Sequence, residues 1–219
     1  MSTRTALDLS LYLVTDATLC GPRGVASVVA DAVAGGVRVV QLRDKSADAA
    51  TLLAQLEELA AVIDGRGTLL VNDRLDVVVT ARQRGVPVDG VHLGQRDDAV
   101  LEARELLGAD AIVGLTANHS SHLGTVERMP RGSVNYLGVG VIRPTATKPD
   151  HPPALGVDGF ARFARAAELP CVAIGGITID DVGPLRAAGA AGVAVVSALC
   201  AASDPRDAAA RFATAWGER

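Results

Sequence analysis

Short apolar runs and longer amphipathic segments alternate along the chain. Runs rich in Val, Leu and Ile predict buried strands, and apolar residues that recur every three or four positions predict helices packed by one face. The predicted strands cover residues 11–14, the start of the stretch 37–45, and residues 68–71, 90–93, 111–115, 135–139, 171–174 and 192–196. Helices are predicted at residues 24–34, 48–63, 75–84, 98–107, 121–129, 158–167 and 205–216, with one more capped by Thr178 or Asp180 and ended by Gly189.

This order predicts an α/β protein with parallel strands, because strands that alternate with helices pair in parallel. Eight such units close a (β/α)8 TIM barrel, and an open doubly wound sheet is the alternative. No linker or shift in composition divides residues 1–219, so they are predicted to form a single domain. The segment 142–157 holds four prolines and is predicted to be irregular.

Composition narrows the possible environments and partners. Hydrophobic residues make up 49% of the chain and aromatic residues only 3%, so aliphatic side chains are expected to fill the core. The net charge of −4 predicts no general attraction to nucleic acid or to an anionic membrane. The absence of a signal-peptide pattern and of a bilayer-length apolar run predicts a cytoplasmic chain. Cys20, Cys171 and Cys200 lack metal-ligand spacing and are predicted to be buried free thiols.

Polar residues collect where the predicted strands end. Active sites of TIM barrels lie at the carboxyl ends of the strands, so these residues define a candidate site. In strand order they are Gln41, Arg43 and Lys45; Asn72 and Asp73; Gln95 and Asp97; Thr116; Thr145, Thr147 and Lys148; Gly175 and Gly176; and Ser197.

A metal-diphosphate site is predicted beside the second strand. Asp73 and Asp97 follow adjacent strands, which lie roughly 5 Å apart, so both carboxylates can reach one ion. Mg²⁺ is usually held by one or two carboxylates and by phosphate oxygens, and Arg43 and Lys45 would add positive charge. In the alternative interpretation, each aspartate only caps the helix that follows it.

A second phosphate site is predicted after strands seven and eight. Gly175-Gly176, placed before a helix, offers bare backbone N–H groups, and Ser197 adds a polar group from the neighbouring strand. A diglycine is also an ordinary turn, which is the alternative.

The four histidines indicate neither a zinc site nor a catalytic triad. His92 is predicted to be a packed core imidazole, and His119 and His122 to be exposed at the start of a helix. His151 lies in the proline-rich segment, and no pair has metal-ligand spacing with a third partner. The proline-stiffened, hydroxyl-rich residues 143–148 are instead predicted to form a lid over bound substrate.

Six motifs together resemble the thiamine-phosphate synthase family. They are LYLVTD at 11–16, QLRDK at 41–45, NDR at 72–74, HLGQRD at 92–97, PTATK at 144–148 and IGGIT at 174–178. The resemblance spans nearly the whole chain. It implies a transferase that joins 4-amino-5-hydroxymethyl-2-methylpyrimidine diphosphate to a (carboxy)thiazole ethyl phosphate, with release of pyrophosphate, and of CO₂ from the carboxylated thiazole.

The same resemblance assigns roles to residues of the predicted site. The implied catalytic groups are Arg43, Lys45, Thr116 and Lys148, and Mg²⁺ is the implied cofactor, bound by Asp73 and Asp97. The implied substrate-binding residues are Gln41, Leu42, Arg43, Asp44, Lys45, Asn72 and Lys148 for the pyrimidine diphosphate, Thr116 for its ring, and Thr145, Ala146, Thr147, Gly176, Val196 and Ser197 for the thiazole phosphate. The implied partners are these small molecules, and the chain is compatible with a homo-oligomer.

The family mechanism is dissociative: pyrophosphate leaves first, and the thiazole nitrogen captures the resulting carbocation. Such a reaction needs neutralised charge and aligned reactants more than a strong base. Two departures from the family pattern occur, at Thr116-Ala117-Asn118, where Ser and His are usual, and at Arg143, where an aromatic residue is usual. A thiazole tautomerase and a non-catalytic phosphate-binding barrel are the alternative functions.

Overall fold

Eight strands, ten α-helices and a short 3-10 helix at Gly21–Arg23 make up the regular structure of the described chain. A computed structural model describes residues 7–94, 97–145, 147 and 153–217, with the side chain of Asp97 outside the described set. The strands are β1 Leu11–Val14, β2 Val39–Leu42, β3 Thr68–Asn72, β4 Gly90–Leu93, β5 Ile112–Thr116, β6 Tyr136–Gly140, β7 Cys171–Ile174 and β8 Gly192–Val195. The helices are α1 Ala17–Cys20, α2 Val25–Ala34, α3 Ala49–Ile63, α4 Leu75–Gln83, α5 Asp97–Leu107, α6 Ser120–Arg128, α7 Gly156–Ala166, α8 Ile179–Ala187, α9 Ser197–Cys200 and α10 Pro205–Trp216.

The eight strands form one closed parallel barrel in chain order. Closure is made by β1, which pairs with β2 on one side through Tyr12 and Val39 and with β8 on the other through Leu11 and Val193. The predicted (β/α)8 barrel is therefore confirmed, and the open doubly wound sheet is wrong. Every strand now points its carboxyl end toward the same rim, where the polar residues collect.

Two short helices and one helix boundary differ from the sequence prediction. The helices α1 and α9 each have four residues, too few to show a helical period. Asp16 stabilises α1 by accepting a hydrogen bond from the backbone N–H of Leu19 at 3.0 Å. Helix α7 begins at Gly156, inside the segment 142–157 that was predicted to be irregular, and the N-cap of α8 is Thr178 rather than Asp180.

Alternation along each strand separates two core layers. Val40 and Leu42 of β2 point outward and pack in the layer between the barrel and its helices, whereas Val39 points into the barrel. The barrel interior also holds Tyr12 and Tyr136, the only tyrosines in the chain. The expectation of an aliphatic core thus holds for most residues of both layers, and the interior departs from it at its two phenols.

The cysteines and the helix lengths agree with an ordinary α/β barrel. Cys20, Cys171 and Cys200 are buried and unpaired, as the sequence predicted. Among the described residues, no helix combines the length and the apolar character that crossing a bilayer would need.

Candidate active site

A pocket of about 1130 Å³, including its open mouth, lies at the carboxyl ends of the strands. Its wall contains many of the residues whose roles the family resemblance implies: Gln41, Arg43, Asn72, Thr116, Thr145, Thr147, Gly176, Val196 and Ser197. The apolar part of the wall comes from inward-facing residues such as Val14, Val172 and Ala194. The strand ends thus bring a predicted set of polar groups around one cavity.

The end of β2 sends alternate side chains into this pocket. Gln41 is buried and Arg43 is half-buried, and both line the pocket. The backbone N–H of Arg43 donates to Thr15 Oγ1 at 3.0 Å, which fixes the chain as it leaves the strand. Leu42 points the other way, into the outer core layer, so only its backbone faces the rim. Arg43 is therefore the residue through which β2 places a positive charge in the cavity.

Asp44 and Lys45 lie beyond the pocket wall. The Asp44 carboxylate accepts hydrogen bonds from the hydroxyl and backbone N–H of Ser46 and from the N–H of Ala47, at 2.8–3.1 Å. These bonds, that from the Ser46 hydroxyl above all, lower the pKa of Asp44. Lys45 is exposed beside this turn. Asp44 thus shapes the turn that presents Lys45 at the rim.

Asp73 connects the ends of β3 and β4. Its Oδ1 accepts from the backbone N–H of Gly94 at 2.9 Å, and its Oδ2 accepts from the Asn72 amide at 2.7 Å. The N-cap position of α4 is Arg74, and no side chain caps that helix. The capping alternative for Asp73 is therefore wrong, and its exposed carboxylate faces the rim between the two strands.

The second predicted metal ligand, Asp97, begins α5 directly after the β4 rim, and its side chain is outside the described set. Its alternative role as a cap stays a prediction, and Gln95 also lies outside the described residues. Within the described part of the chain, no three His, Cys, Asp or Glu residues cluster closely enough to hold a metal ion.

The diglycine after β7 has a backbone that only glycine adopts freely. Gly175 and Gly176 have φ values of 98° and 63°, in the left-handed region. A Cβ on Gly176 would lie 2.8 Å from the Cβ of Arg143, and one on Gly175 would lie 2.5 Å from the Cβ of Val141. The segment after β6 therefore packs directly against this turn, and both glycines line the pocket beside Ser197.

Arg143, a departure from the family pattern, holds this packing in place. Its guanidinium donates two bonds to Asp181 Oδ1, from Nη2 at 2.6 Å and from Nε at 3.0 Å. The nearly buried Asp181 also accepts from the N–H and hydroxyl of Thr178, each at 2.9 Å, and so caps α8. The Arg143 hydrogen bonds are the main cause of the lowered pKa of Asp181. We call Arg143, Asp181 and Thr178 the α8 clamp.

A line of hydrogen bonds crosses the pocket floor. Gln41 Nε2 donates to Tyr12 Oη at 2.6 Å, and Tyr12 Oη lies 2.8 Å from Tyr136 Oη. Tyr136 Oη lies 2.9 Å from His92 Nδ1, and His92 Nε2 lies 3.1 Å from Thr116 Oγ1. We call these five residues the floor relay. It joins Gln41 on β2 to Thr116 on β5.

The floor relay corrects the prediction for His92, which is half-buried and lines the pocket rather than packing in the core. Tyr12 and Tyr136 were also missed. A signal was present in Gly114 of β5 and Gly138 of β6, two glycines inside strands. A Cβ on Gly114 would collide with the Tyr136 ring, and one on Gly138 would lie 3.0 Å from the His92 ring.

The lid segment is described only in part. Thr145 and Thr147 line the pocket, with their hydroxyl oxygens 2.8 Å apart. Ala146, Lys148 and His151 lie outside the described residues. Thr145 and Thr147 therefore bring two hydroxyl groups to the same side of the cavity as Gly176.

The helix after β5 uses both of its histidines for local structure. His119 is exposed and its Nδ1 accepts from the backbone N–H of Ser121, which caps α6. His122 Nδ1 accepts from the backbone N–H of Asn118 at 3.3 Å and is half-buried, not exposed as predicted. Asn118, one of the two departures from the family pattern, itself lines the pocket, although the sequence did not predict it as a site residue.

Comparisons with known proteins find close sequence and structural relatives of the chain. Residues 11–199 match the family model described as thiamine monophosphate synthase. Thiamine-phosphate synthases from Psychrobacter sp. and Azorhizobium caulinodans are 41% and 44% identical, each over 94% of this chain and 94% of the relative. A solved thiamine phosphate pyrophosphorylase from Pyrococcus furiosus superposes with a TM-score of 0.80 at 28% identity, over 95% of this chain and 96% of that one. A solved 3-hexulose-6-phosphate synthase, at 17% identity and a TM-score of 0.67, shares the fold alone.

Proposed function

The chain belongs to the thiamine monophosphate synthase family, and we propose that it forms thiamine phosphate. The proposed reaction joins 4-amino-5-hydroxymethyl-2-methylpyrimidine diphosphate to thiazole ethyl phosphate, or to its carboxylated form, and releases pyrophosphate. With the carboxylated thiazole, CO₂ is released as well. A cytoplasmic location, where three free thiols stay reduced, accords with this role.

One observation carries the proposal: a single pocket holds two separate places suited to phosphate. Arg43 and Asn72 line it at the ends of β2 and β3, and the Gly175-Gly176 turn and Ser197 line it at β7 and β8. Arginine binds phosphate through paired N–H groups, and a glycine turn offers backbone N–H groups without steric hindrance. A reaction between one diphosphate and one monophosphate uses both places at once.

The residues at β2 and β3 would hold the leaving group. Arg43 lines the cavity directly, whereas Lys45, exposed at the rim, would have to extend toward bound diphosphate. Lys148, which follows the lid threonines in the chain, would add a third positive charge. As the C–O bond to the diphosphate breaks, negative charge grows on its bridging oxygen, and nearby fixed cations lower the free energy of that state.

The donor chemistry at the β3–β4 rim fits a magnesium ion. Asp73 offers hard carboxylate oxygens there, and Asp97 follows β4 at the same rim. Mg²⁺ is commonly bound by one or two carboxylates together with substrate phosphates. We infer that Asp73 and Asp97 hold it. When bound, the ion neutralises charge on the diphosphate.

The rest of the pocket would position the second substrate and exclude water. The place proposed for the thiazole phosphate is surrounded by Thr145, Thr147 and Gly176. A phosphate held there would aim the thiazole nitrogen at the pyrimidine methylene. That nitrogen supplies the electron pair for the new C–N bond. The apolar wall that includes Val14 and Val172 keeps water from capturing the cation first.

The test is pyrophosphate release by purified protein. We expect release only when both substrates and Mg²⁺ are present, with thiamine phosphate formed in equal amount. A thiazole tautomerase would isomerise its substrate without releasing pyrophosphate, and a non-catalytic barrel would bind the thiazole phosphate and release nothing. Either result would refute the proposal. The matched control is Gly183→Ala, on an open part of α8 where a Cβ meets no atom within 4 Å.

A further inference from the structure

The direction of the hydrogen bonds in the floor relay follows from the orientation of the Gln41 amide together with a count of hydroxyl hydrogens. Each tyrosine has one hydrogen to donate, and Tyr12 already accepts from Gln41. If Tyr136 donated to Tyr12, the Tyr12 hydrogen would have no acceptor among the described residues. A buried hydroxyl hydrogen left unpaired costs about 1–3 kcal/mol. Tyr12 therefore donates to Tyr136.

The same count fixes the remaining bonds. Tyr136 accepts from Tyr12, so its own hydrogen goes to His92 Nδ1, 2.9 Å away. That nitrogen must then carry no hydrogen, and His92 Nε2 carries it instead and donates to Thr116 Oγ1. Thr116 lines the pocket, so its own hydroxyl hydrogen is available to a ligand there. Burial raises the pKa of both tyrosines, which keeps each one a neutral donor.

We propose that Tyr12, Tyr136 and His92 are positioning residues, which make Gln41 an acceptor and Thr116 a donor toward the bound substrate. With its Nε2 held by Tyr12, Gln41 turns its Oε1 to the cavity. The pocket floor then accepts a hydrogen bond at β2 and donates one at β5. This polarity selects a neutral ring that has an amino group toward Gln41 and an unprotonated nitrogen toward Thr116. That assignment of the ring rests on the proposed function, whereas the hydrogen positions do not.

The residues packed around the floor relay leave space for its aromatic rings and hold their hydroxyl groups together. A Cβ on Gly114 would collide with both the His92 and the Tyr136 rings, and one on Gly138 would crowd the His92 ring at 3.0 Å. The Tyr12 and Tyr136 rings meet edge to face, with centroids 6.0 Å apart, which leaves their hydroxyls side by side. Two adjacent strands therefore lack side chains where the aromatic rings of the relay need space.

Nitrogen-15 NMR of histidine-labelled protein, without substrate, tests the hydrogen positions directly. The His92 signals are identified by their loss in His92→Gln. We expect Nδ1 to be unprotonated and Nε2 to carry the hydrogen. A hydrogen on Nδ1 in the wild-type protein would overturn the proposal. This result does not depend on synthase activity, so failure of the proposed function and failure of the relay are distinguishable.

Variants test the effect on substrate. Tyr136→Phe removes the donor to Nδ1, so His92 should become a mixture of tautomers, and KM for the pyrimidine diphosphate should rise up to about tenfold. KM for the thiazole phosphate should stay unchanged. Val39→Ala, in the same barrel interior but outside the relay, controls for lost packing and should leave the tautomer unchanged. An unchanged tautomer in Tyr136→Phe contradicts the proposal.

Thr116 offers a conservative pair that keeps the rest of the relay intact. Thr116→Ser retains the hydroxyl and should retain KM for the pyrimidine diphosphate, whereas the similarly shaped Thr116→Val cannot donate and should raise it. Equal KM values in the two variants would show that the hydroxyl hydrogen is not used.

Discussion

The α8 clamp is expected to set the position of the phosphate-binding turn, and Asp181→Asn tests this. The substitution keeps an oxygen that accepts from Thr178, but it removes the negative charge that holds Arg143. Arg143 donates its backbone N–H to the carbonyl oxygen of Gly175 at 3.0 Å and packs its Cβ against Gly176. Loss of the charge should therefore loosen the turn without unfolding α8.

The expected changes in KM and in stability follow from the hydrogen bonds that each Asp181 variant loses. The affected turn contributes to binding of the thiazole phosphate, so KM for that substrate should rise about tenfold, equivalent to about 1.4 kcal/mol. This is close to the lower end of the contribution of one charge-assisted hydrogen bond, about 1.5–3 kcal/mol. The kcat at saturation should change little, because the leaving-group residues at β2 are untouched. Asp181→Ala also removes the cap on Thr178, and should lower the free energy of unfolding by about 1 kcal/mol more.

Steady-state kinetics with each substrate varied in turn provides the assay. Asp180→Asn is the matched control. It removes the same charge from the neighbouring position in the sequence, where the side chain is exposed. Arg143→Gln should reproduce the KM change of Asp181→Asn. If Asp180→Asn raises KM as much as Asp181→Asn, the effect is one of general charge, and the clamp does not position the turn.

The clamp also predicts an acid-dependent difference in stability. The Arg143 hydrogen bonds lower the pKa of Asp181 in the folded protein relative to about 4 in the unfolded chain. The stabilisation by this carboxylate is therefore fully present above about pH 4, and it is lost as the pH falls through the lowered native pKa. Urea unfolding should show Asp181→Asn less stable than wild type at neutral pH, with the difference shrinking below about pH 4. A difference that is constant at all pH values would contradict the assignment.

Three more predictions concern the site and its floor. Asp73→Ala should abolish most pyrophosphate release while calorimetry shows thiazole-phosphate binding nearly intact; equal loss of both would contradict separate sites. Arg43→Ala should slow kcat about 10²-fold with an unchanged melting temperature, because it serves the leaving group more than the fold; a large fall in melting temperature with normal kcat would refute this. Gly114→Ala should lower the free energy of unfolding by about 1–3 kcal/mol through collision with Tyr136, whereas Gly183→Ala should raise it by about 0.5–1 kcal/mol; similar denaturation midpoints for these two variants would count against the close approach at Gly114.

The barrel could be predicted because each of its units carries its own local signal. A run such as Leu69–Val71 is apolar throughout, since a parallel barrel strand is covered on both faces. The helix that follows repeats its apolar residues on one face, as Leu52, Leu56 and Leu59 do in α3. The four-residue helices α1 and α9 escaped prediction because their stability comes from a cap and from packing rather than from a period.

The rim of the site was predictable for a similar reason, since a polar residue after an apolar run is visible in one strand alone. Arg43, Asn72 and Thr116 were all found in this way. The partners of these residues were not visible. Asp181 meets Arg143 across 38 positions of sequence, and the two residues come from elements that are neighbours only in the closed barrel. A pairwise contact of this kind leaves no trace in either segment.

The pocket floor shows why inward-facing polar residues are the hardest to interpret. Tyr12, His92 and Tyr136 each occupy a strand position where an aliphatic residue is also common, and each alone indicates only a buried side chain. Their meaning depends on the barrel bringing β1, β4 and β6 together, so that three hydroxyl or imidazole groups share hydrogens in one order. The polarity that Thr116 presents to substrate is then a property of the closed barrel. It follows that Tyr136→Phe, which keeps the ring and removes only the hydroxyl, should change recognition of the pyrimidine diphosphate as well as stability.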